Sequence, residues 1–264
     1  MHALALLALA SLSNPNLRMP VLGSAEPVGD RPVVTVDLDW NGQLSRGDRI
    51  LARADAELGA SALGALAEIA AGMEQKEMRG LPVPLANEPL RVCADAFAPA
   101  SKLLDLFEVC AGPEVMIWRF ELAGAPADGS HDRAQLPLRA VESLHVLSYV
   151  LPIDVGVGGL VEEPDLPRAE IRLGVQASGE RVGLTDRPRG PFVYDEGRWL
   201  LWEMNGGTYP DLASLLAGVG ERANGEGGVY VTLEIGEGVC VGELVRLVDG
   251  LRGLGVERPI IRRP

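Results

Sequence analysis

Histidine is nearly missing from this chain: His2, His131 and His145 are the only three in 264 residues. None stands at ligand spacing from a cysteine or another histidine, so none supports a metal site. Cysteine is as scarce. Cys93, Cys110 and Cys240 are too few, and odd in number, for a disulfide framework, which leaves the redox compartment open. Cys93 and Cys240 have no histidine nearby in sequence, so a packed thiol outweighs a nucleophile. No serine sits in a Gly-x-Ser-x-Gly elbow, which removes the usual signature of acyl transfer. Basic charge is short as well. Lys and Arg total 24 against 37 Asp and Glu, for a net charge of −13 and a pI of about 4.7. That balance excludes a phosphate-tracking nucleic-acid binder and a polybasic membrane patch. Long apolar runs are also lacking. Ala3–Ala10 is wholly apolar and Leu12 extends it. At ~1.5 Å per residue it falls far short of ~30 Å of hydrocarbon. No other run approaches ~18 apolar residues. The short run has the look of a signal-peptide core, but no Lys or Arg precedes it. A weak signal peptide, an apolar helix and the tail of a longer spanning helix all stay open.

What the chain does have is a repeat. Hydrophobic residues make up 47%, enough for two packed cores of roughly 100 residues each. One order of elements runs through Pro32–Ala123 and again through Arg168–Pro264. Val34, Val36, Leu38 and Gly42 meet Ile171, Leu173, Val175 and Gly179. Leu90–Asp95 meets Val229–Glu234, which sets Val92 over Val231. Leu103–Glu108 meets Leu244–Asp249, which sets Leu104 over Val245. Slightly different spacings between the blocks are what short loop insertions produce.

Each copy reads as a hairpin, a helix, a strand, a helix and a strand. Val34, Val36, Leu38 and Trp40 alternate with Val33, Thr35, Asp37 and Asp39, the period of a strand with one buried face. Asn41-Gly42 is a hairpin turn signal. Apolar stripes predict helices over Ala60–Met73, Ser101–Ala111, Asp211–Ala223 and Gly242–Gly253. In the strands between them, Leu90, Val92 and Ala94 face away from Arg91, Cys93 and Asp95. Val229, Val231, Leu233 and Ile235 likewise oppose Tyr230, Thr232 and Glu234. One face of each sheet is therefore expected under helices and the other partly open. Last strands are expected over Val115–Leu122 and Val256–Arg262. Gly124–Gln135 reads as a linker, Leu147–Val155 as the lead into the second copy, and Pro188–Thr208 as an insertion leading into an extra or lengthened strand.

These residues carry a resemblance. The stretch Val229-Tyr230-Val231-Thr232-Leu233-Glu234 followed by Gly242-Glu243-Leu244-Val245-Arg246-Leu247-Val248-Asp249-Gly250-Leu251-Arg252 resembles the periplasmic domain of the ExbD/TolR family of biopolymer-transport proteins. The family pattern there is a strand ending in an acid, then a helix of the type G-x-V-V-x-V-M-D-x-L-R. Val92–Asp95 with Leu103–Gly112 matches more loosely. Leu17-Arg18-Met19-Pro20 resembles the Leu-x-Leu-Pro segment that follows the family's single membrane helix, and Val150-Leu151-Pro152 repeats it. The resemblance implies domains that associate with one another and with energy-transducing partners. It also implies a spanning helix with an Asp for proton-driven coupling. Met1–Asn16 contains no Asp or Glu, so that carboxylate has no position to be carried onto.

Other motifs weigh against chemistry. Asp37-Leu38-Asp39-Trp40-Asn41-Gly42, with Asp48 at the twelfth position, fits a calcium loop. Yet Pro27 and Pro32 precede an alternating strand rather than a helix, so a hairpin with Asp37 and Asp39 on its solvent face is the stronger reading. Asp154-Val155-Gly156-Val157-Gly158-Gly159 precedes an acidic, Pro-broken segment and reads as a plain loop, not a phosphate cradle. The acids Asp95 and Glu234, and Glu108 and Asp249, occupy matching positions, but each pair is split between copies, which suits capping better than acid–base work.

The expected class is α+β, as two tandem repeats, each a small mixed β-sheet with two helices packed on one face. The expected layout is an apolar segment at 1–20, a first domain at 21–123, a linker at 124–148 and a second domain at 149–264. The expected function is that of a non-enzymatic, envelope-associated component of a proton-motive-force-linked transport system, with its domains on the periplasmic side. It would act through protein partners and possible self-association, and touch a membrane only through its N-terminal segment. No catalytic, cofactor or metal residue is assigned. The alternative is a secreted or intracellular protein-binding module that kept the fold and lost the motor role.

Overall fold

A computed structural model describes residues 17, 19–23, 26–27, 33–77, 84–126, 149–154, 169–177, 200–225, 229–256 and 259–262. Its elements run in chain order as β1 (Val21–Leu22), β2 (Glu26–Pro27), β3 (Thr35–Leu38), β4 (Leu44–Arg46), β5 (Arg49–Ala52), α1 (Leu58–Ala71), β6 (Gln75–Lys76), β7 (Leu85–Ala86), β8 (Leu90–Ala94), α2 (Ala100–Ala111) and β9 (Arg119–Pro126). There follow β10 (Tyr149–Asp154), β11 (Ala169–Ala177), β12 (Leu200–Met204), β13 (Gly207–Tyr209), α3 (Leu212–Gly225), β14 (Val229–Ile235), α4 (Val241–Gly253) and β15 (Ile260–Arg262).

The protein is α+β, and its two halves share one topology. The first sheet runs β5-β4-β3-β8-β9 and continues through β10 to β2; the second runs β13-β12-β11-β14-β15. In both, the first strand pairs antiparallel with the hairpin strand and parallel with the strand after the helix. The last strand then adds parallel beside that one. Local chemistry sets these elements. Gly42 takes φ +89° at the first turn, and Asn205-Gly206 takes φ +49° and +81° between β12 and β13, the left-handed pair that a two-residue hairpin needs. Helix α2 begins after Pro99 and stops at Gly112-Pro113. Helix α4 begins at Cys240, whose backbone N–H donates to Glu243 Oε2 at 2.9 Å in a capping box.

The helical stripes bury Leu58, Ala62, Leu66 and Ile69 in α1, and Leu103, Leu106, Phe107 and Cys110 in α2. They pack on Leu90, Val92 and Ala94 of β8. Leu215, Val219, Leu244, Val248 and Leu251 do the same over Val231, Leu233 and Ile235. One continuous core joins both halves. Gly250 admits the neighbouring helix, since a Cβ there would lie 2.5 Å from Leu216 Cδ1.

Four sequence expectations change. Val36 lies opposite Val92 and Leu173 opposite Leu233, so Val92 matches Leu233 and not Val231. The Leu38 carbonyl accepts Asp95 N–H at 2.8 Å and the Val175 carbonyl accepts Gly236 N–H at 2.7 Å, which fixes the same shift of two residues. Alternating apolar residues look alike at every second position, so the pattern alone permits the slip. Helices α2 and α4 start at matching places, and Leu104 does match Val245. Second, Gly124–Pro126 continues β9 instead of starting a linker. Third, β10, expected to lead into the second copy, joins the first sheet along six residues of β9. Fourth, the outer face of the first sheet is not open: Leu17 and Met19 bury against Cys93 and Ala123. Residues Leu200–Met204 and Gly207–Tyr209 form the hairpin of the second copy, and Pro188–Trp199 lies outside the described residues.

Candidate functional site

The two copies meet head to head at the starts of α2 and α4. Pro99 and Cys240 form an antiparallel bridge. Ala100 N–H donates to the Val239 carbonyl, and Val241 N–H donates to the Ala98 carbonyl, both at 2.9 Å. Ala98 matches Val239 and Ala100 matches Val241, so the contact obeys a local two-fold axis within one chain. Gly242 N–H donating to the Ala96 carbonyl, at 2.9 Å, breaks the symmetry on one side.

A groove of about 400 Å³ opens on the outer face of the second sheet, lined by Arg172, Gly174, Glu203, Asn205, Gly206 and Glu234. Gly174 forms its floor, and the Glu203 carboxylate folds over it: a Cβ on Gly174 would lie 3.3 Å from Glu203 Oε2. Asn205 closes one end by accepting the Arg172 N–H at 2.9 Å through Oδ1 and donating its own N–H to the Arg172 carbonyl. Glu170 pairs with Arg172 at 3.0 Å and accepts the Thr232 hydroxyl at 3.1 Å. That carboxylate, with Glu234 and Tyr230 behind it, holds the Arg172 guanidinium still more firmly protonated. Among the described residues that line the groove, no nucleophile stands beside a base.

The matching face of the first copy is built differently. Asp37, Ser45 and Cys93 stand where the second copy has Gly174, Glu203 and Glu234. Asp37 is 4% exposed and hydrogen-bonds the Cys93 thiol. Burial pushes that thiol well above its usual range, and Asp37 pushes it further. Arg91 crosses this face and donates to Glu121 Oε2 from Nε at 3.0 Å and from Nη2 at 2.7 Å.

The calcium-like segment is a hairpin. Asp39 Oδ1 accepts Asn41 N–H and Gln43 N–H, both at 2.9 Å, so its oxygen serves the turn. Asp37, expected on the solvent face, is buried. Cys93 and Cys110 lie on opposite sides of the sheet, both free. Asp95 is 1% exposed and holds a turn by accepting Phe97 N–H at 2.8 Å. It matches Gly236, so the expected Asp95/Glu234 pairing dissolves. Glu108 and Asp249 do match, and Asp249 accepts the Gly23 N–H across to the first copy's leader. Burial raises the Glu243 carboxyl, against the hydrogen bonds it receives from Cys240. The Cys-x-x-Glu spacing at 240–243 was the one available signal for that cap. Residues 155–159 and all three histidines lie outside the described residues. Among the described residues, no group of three or more His, Cys, Asp or Glu side chains is placed to hold a metal ion, and no helix is long and apolar enough to cross a membrane. Comparison with family models, with curated proteins and with solved structures finds no match to this chain.

Proposed function

We propose that this chain is an ExbD/TolR-like, non-enzymatic component of a cell-envelope transport system, working through protein–protein contacts on the periplasmic side. The observation that carries the reading is the two-fold contact at Pro99 and Cys240. Two copies of one α+β unit are fused and paired in a single chain, which fits a family whose domains associate with one another. Strand addition is the physical means of partner contact. The chain already practises it, since β10 adds antiparallel to β9. Strand β15, the match of β9, ends its sheet among the described residues and offers the same kind of edge.

The test is a photo-crosslinking amino acid at Ile260, introduced in the natural host and followed by cell fractionation. The expected result is recovery in the envelope fraction, with crosslinks to envelope energy-transducing proteins. Recovery in the cytosol or medium, with no envelope partner, would replace this reading by the secreted or intracellular binding module.

A further inference from the structure

We propose that Leu17 and residues 19–23 act as a latch, sealing the outer face of the first sheet and tying it to α4 of the second copy, so that release of this strap opens the face and frees the helix together. Three observations place the latch. Leu17 and Met19 are 9% and 7% exposed and form a separate small cluster with Cys93 of β8 and Ala123 of β9. Leu22 is 2% exposed and enters the main core through a gap made by Gly124. A Cβ on Gly124 would lie 2.6 Å from Leu22 Cδ1 and from the Pro20 carbonyl oxygen, so only glycine admits the strap there. Gly23 N–H then donates to the Asp249 carboxylate on α4.

The strap spans the two copies with few ties. Strand β1 pairs with Ala125 and Pro126 of β9, a ladder of two residues. Such a segment opens locally at far lower cost than the core beneath it. Beneath it lies the Cys93 thiol, at 0% exposure, on the same sheet face as Asp37 and the Arg91–Glu121 ion pair. Peeling the strap wets the apolar strip of Cys93 and Ala123. The second copy carries Glu234 in place of Cys93, and its corresponding face is the open groove. The latch is independent of the transport reading and stands or falls on its own test.

Cys93 is a built-in reporter, and Cys110, buried in the main core, is the control. Native protein is treated with N-ethylmaleimide and the labelled cysteines are identified by mass spectrometry over time. In the unaltered chain both thiols should stay protected. Gly124→Val should speed Cys93 labelling by about a hundredfold or more while Cys110 is unchanged, because local opening is decoupled from global unfolding. If Gly124→Val exposes both thiols together, Met19→Asp, which touches only the strap, decides: Cys93 labelled alone supports the latch. Protection of Cys93 in Met19→Asp, or its labelling in step with Cys110, overturns it. Gly23→Pro tests the tie to the second copy, since it removes the N–H that Asp249 accepts. It should speed Cys93 labelling and amide exchange in α4 together; a rise in neither, or in one alone, refutes the tie.

Discussion

Arg91→Thr is a sharp perturbation because the chain supplies its own control. Arg91 lies on β8 between Thr35 of β3 and Glu121 of β9. Its guanidinium gives two hydrogen bonds to one carboxylate oxygen, and the two side chains are 5% and 14% exposed. At the matching places the second sheet has Arg172, Thr232 and Ile260, so uncharged residues stand where the first sheet has Arg91 and Glu121. Arg91→Thr alone leaves the Glu121 carboxylate in a nearly dry site without its guanidinium, a loss of about 3–5 kcal/mol. Against a typical stability of ~5–15 kcal/mol that is about a fifth of the whole at the least. Replacing a buried pair by uncharged residues is often neutral, so Arg91→Thr with Glu121→Ile should return to within about 1 kcal/mol of the unaltered chain. Urea unfolding followed by circular dichroism reads this as a midpoint that falls and then recovers at constant slope. One core spans both copies, so one transition is expected. A single-variant loss below about 1 kcal/mol, or a double variant as unstable as the single, would refute the reasoning.

Asp39→Ala removes two turn hydrogen bonds and should cost about 1–3 kcal/mol, equally with and without millimolar calcium. A melting temperature that rises with calcium in the unaltered chain and not in the variant would reinstate a calcium site. Leu215→Ala, at a fully buried position of α3, should cost about 2–5 kcal/mol by chemical denaturation. Asp211 accepts Ser214 N–H at 2.7 Å, which holds its carboxyl below the usual value of 3.8. Its contribution is therefore present above that value and lost as pH falls through the lowered one. Asp211→Asn should flatten that acid limb of the stability curve, and an unchanged limb contradicts the cap. Intact mass of native protein, with and without reductant, should show Cys93 and Cys110 unbridged, since they face opposite sides of the sheet.

Period and turn chemistry made the repeat legible. Alternation in Thr35–Leu38 and Val229–Ile235, apolar stripes in α1 to α4, and Asn41-Gly42 each report a local choice that the fold keeps. Register was not legible, because Val231 and Leu233 are interchangeable to a pattern of period two. Nor was the destination of β10, whose apolar run says that it is buried but not on which sheet. The contact of Pro99 with Cys240 left no trace in sequence, since backbone groups make it. The groove left one faint trace, the glycine at 174 where the first copy has Asp37. The strap was not legible either: Leu17 and Met19, in the apolar segment expected at 1–20, cover residues more than 70 positions away, a separation that no local pattern encodes.

Pairing of the two copies within one chain is tested most directly by Pro99→Cys. The bridge to Cys240 is flanked by hydrogen bonds from the adjacent residues, the close type of antiparallel pair. Its Cα separation of ~4.5 Å suits a disulfide. Mild oxidation of dilute Pro99→Cys protein, with Cys93 and Cys110 replaced by alanine, should give a monomer in which the peptide carrying the substitution is joined to the peptide containing Cys240. Free thiols after oxidation, or crosslinked dimers that vanish on dilution, would contradict a two-fold contact made in cis.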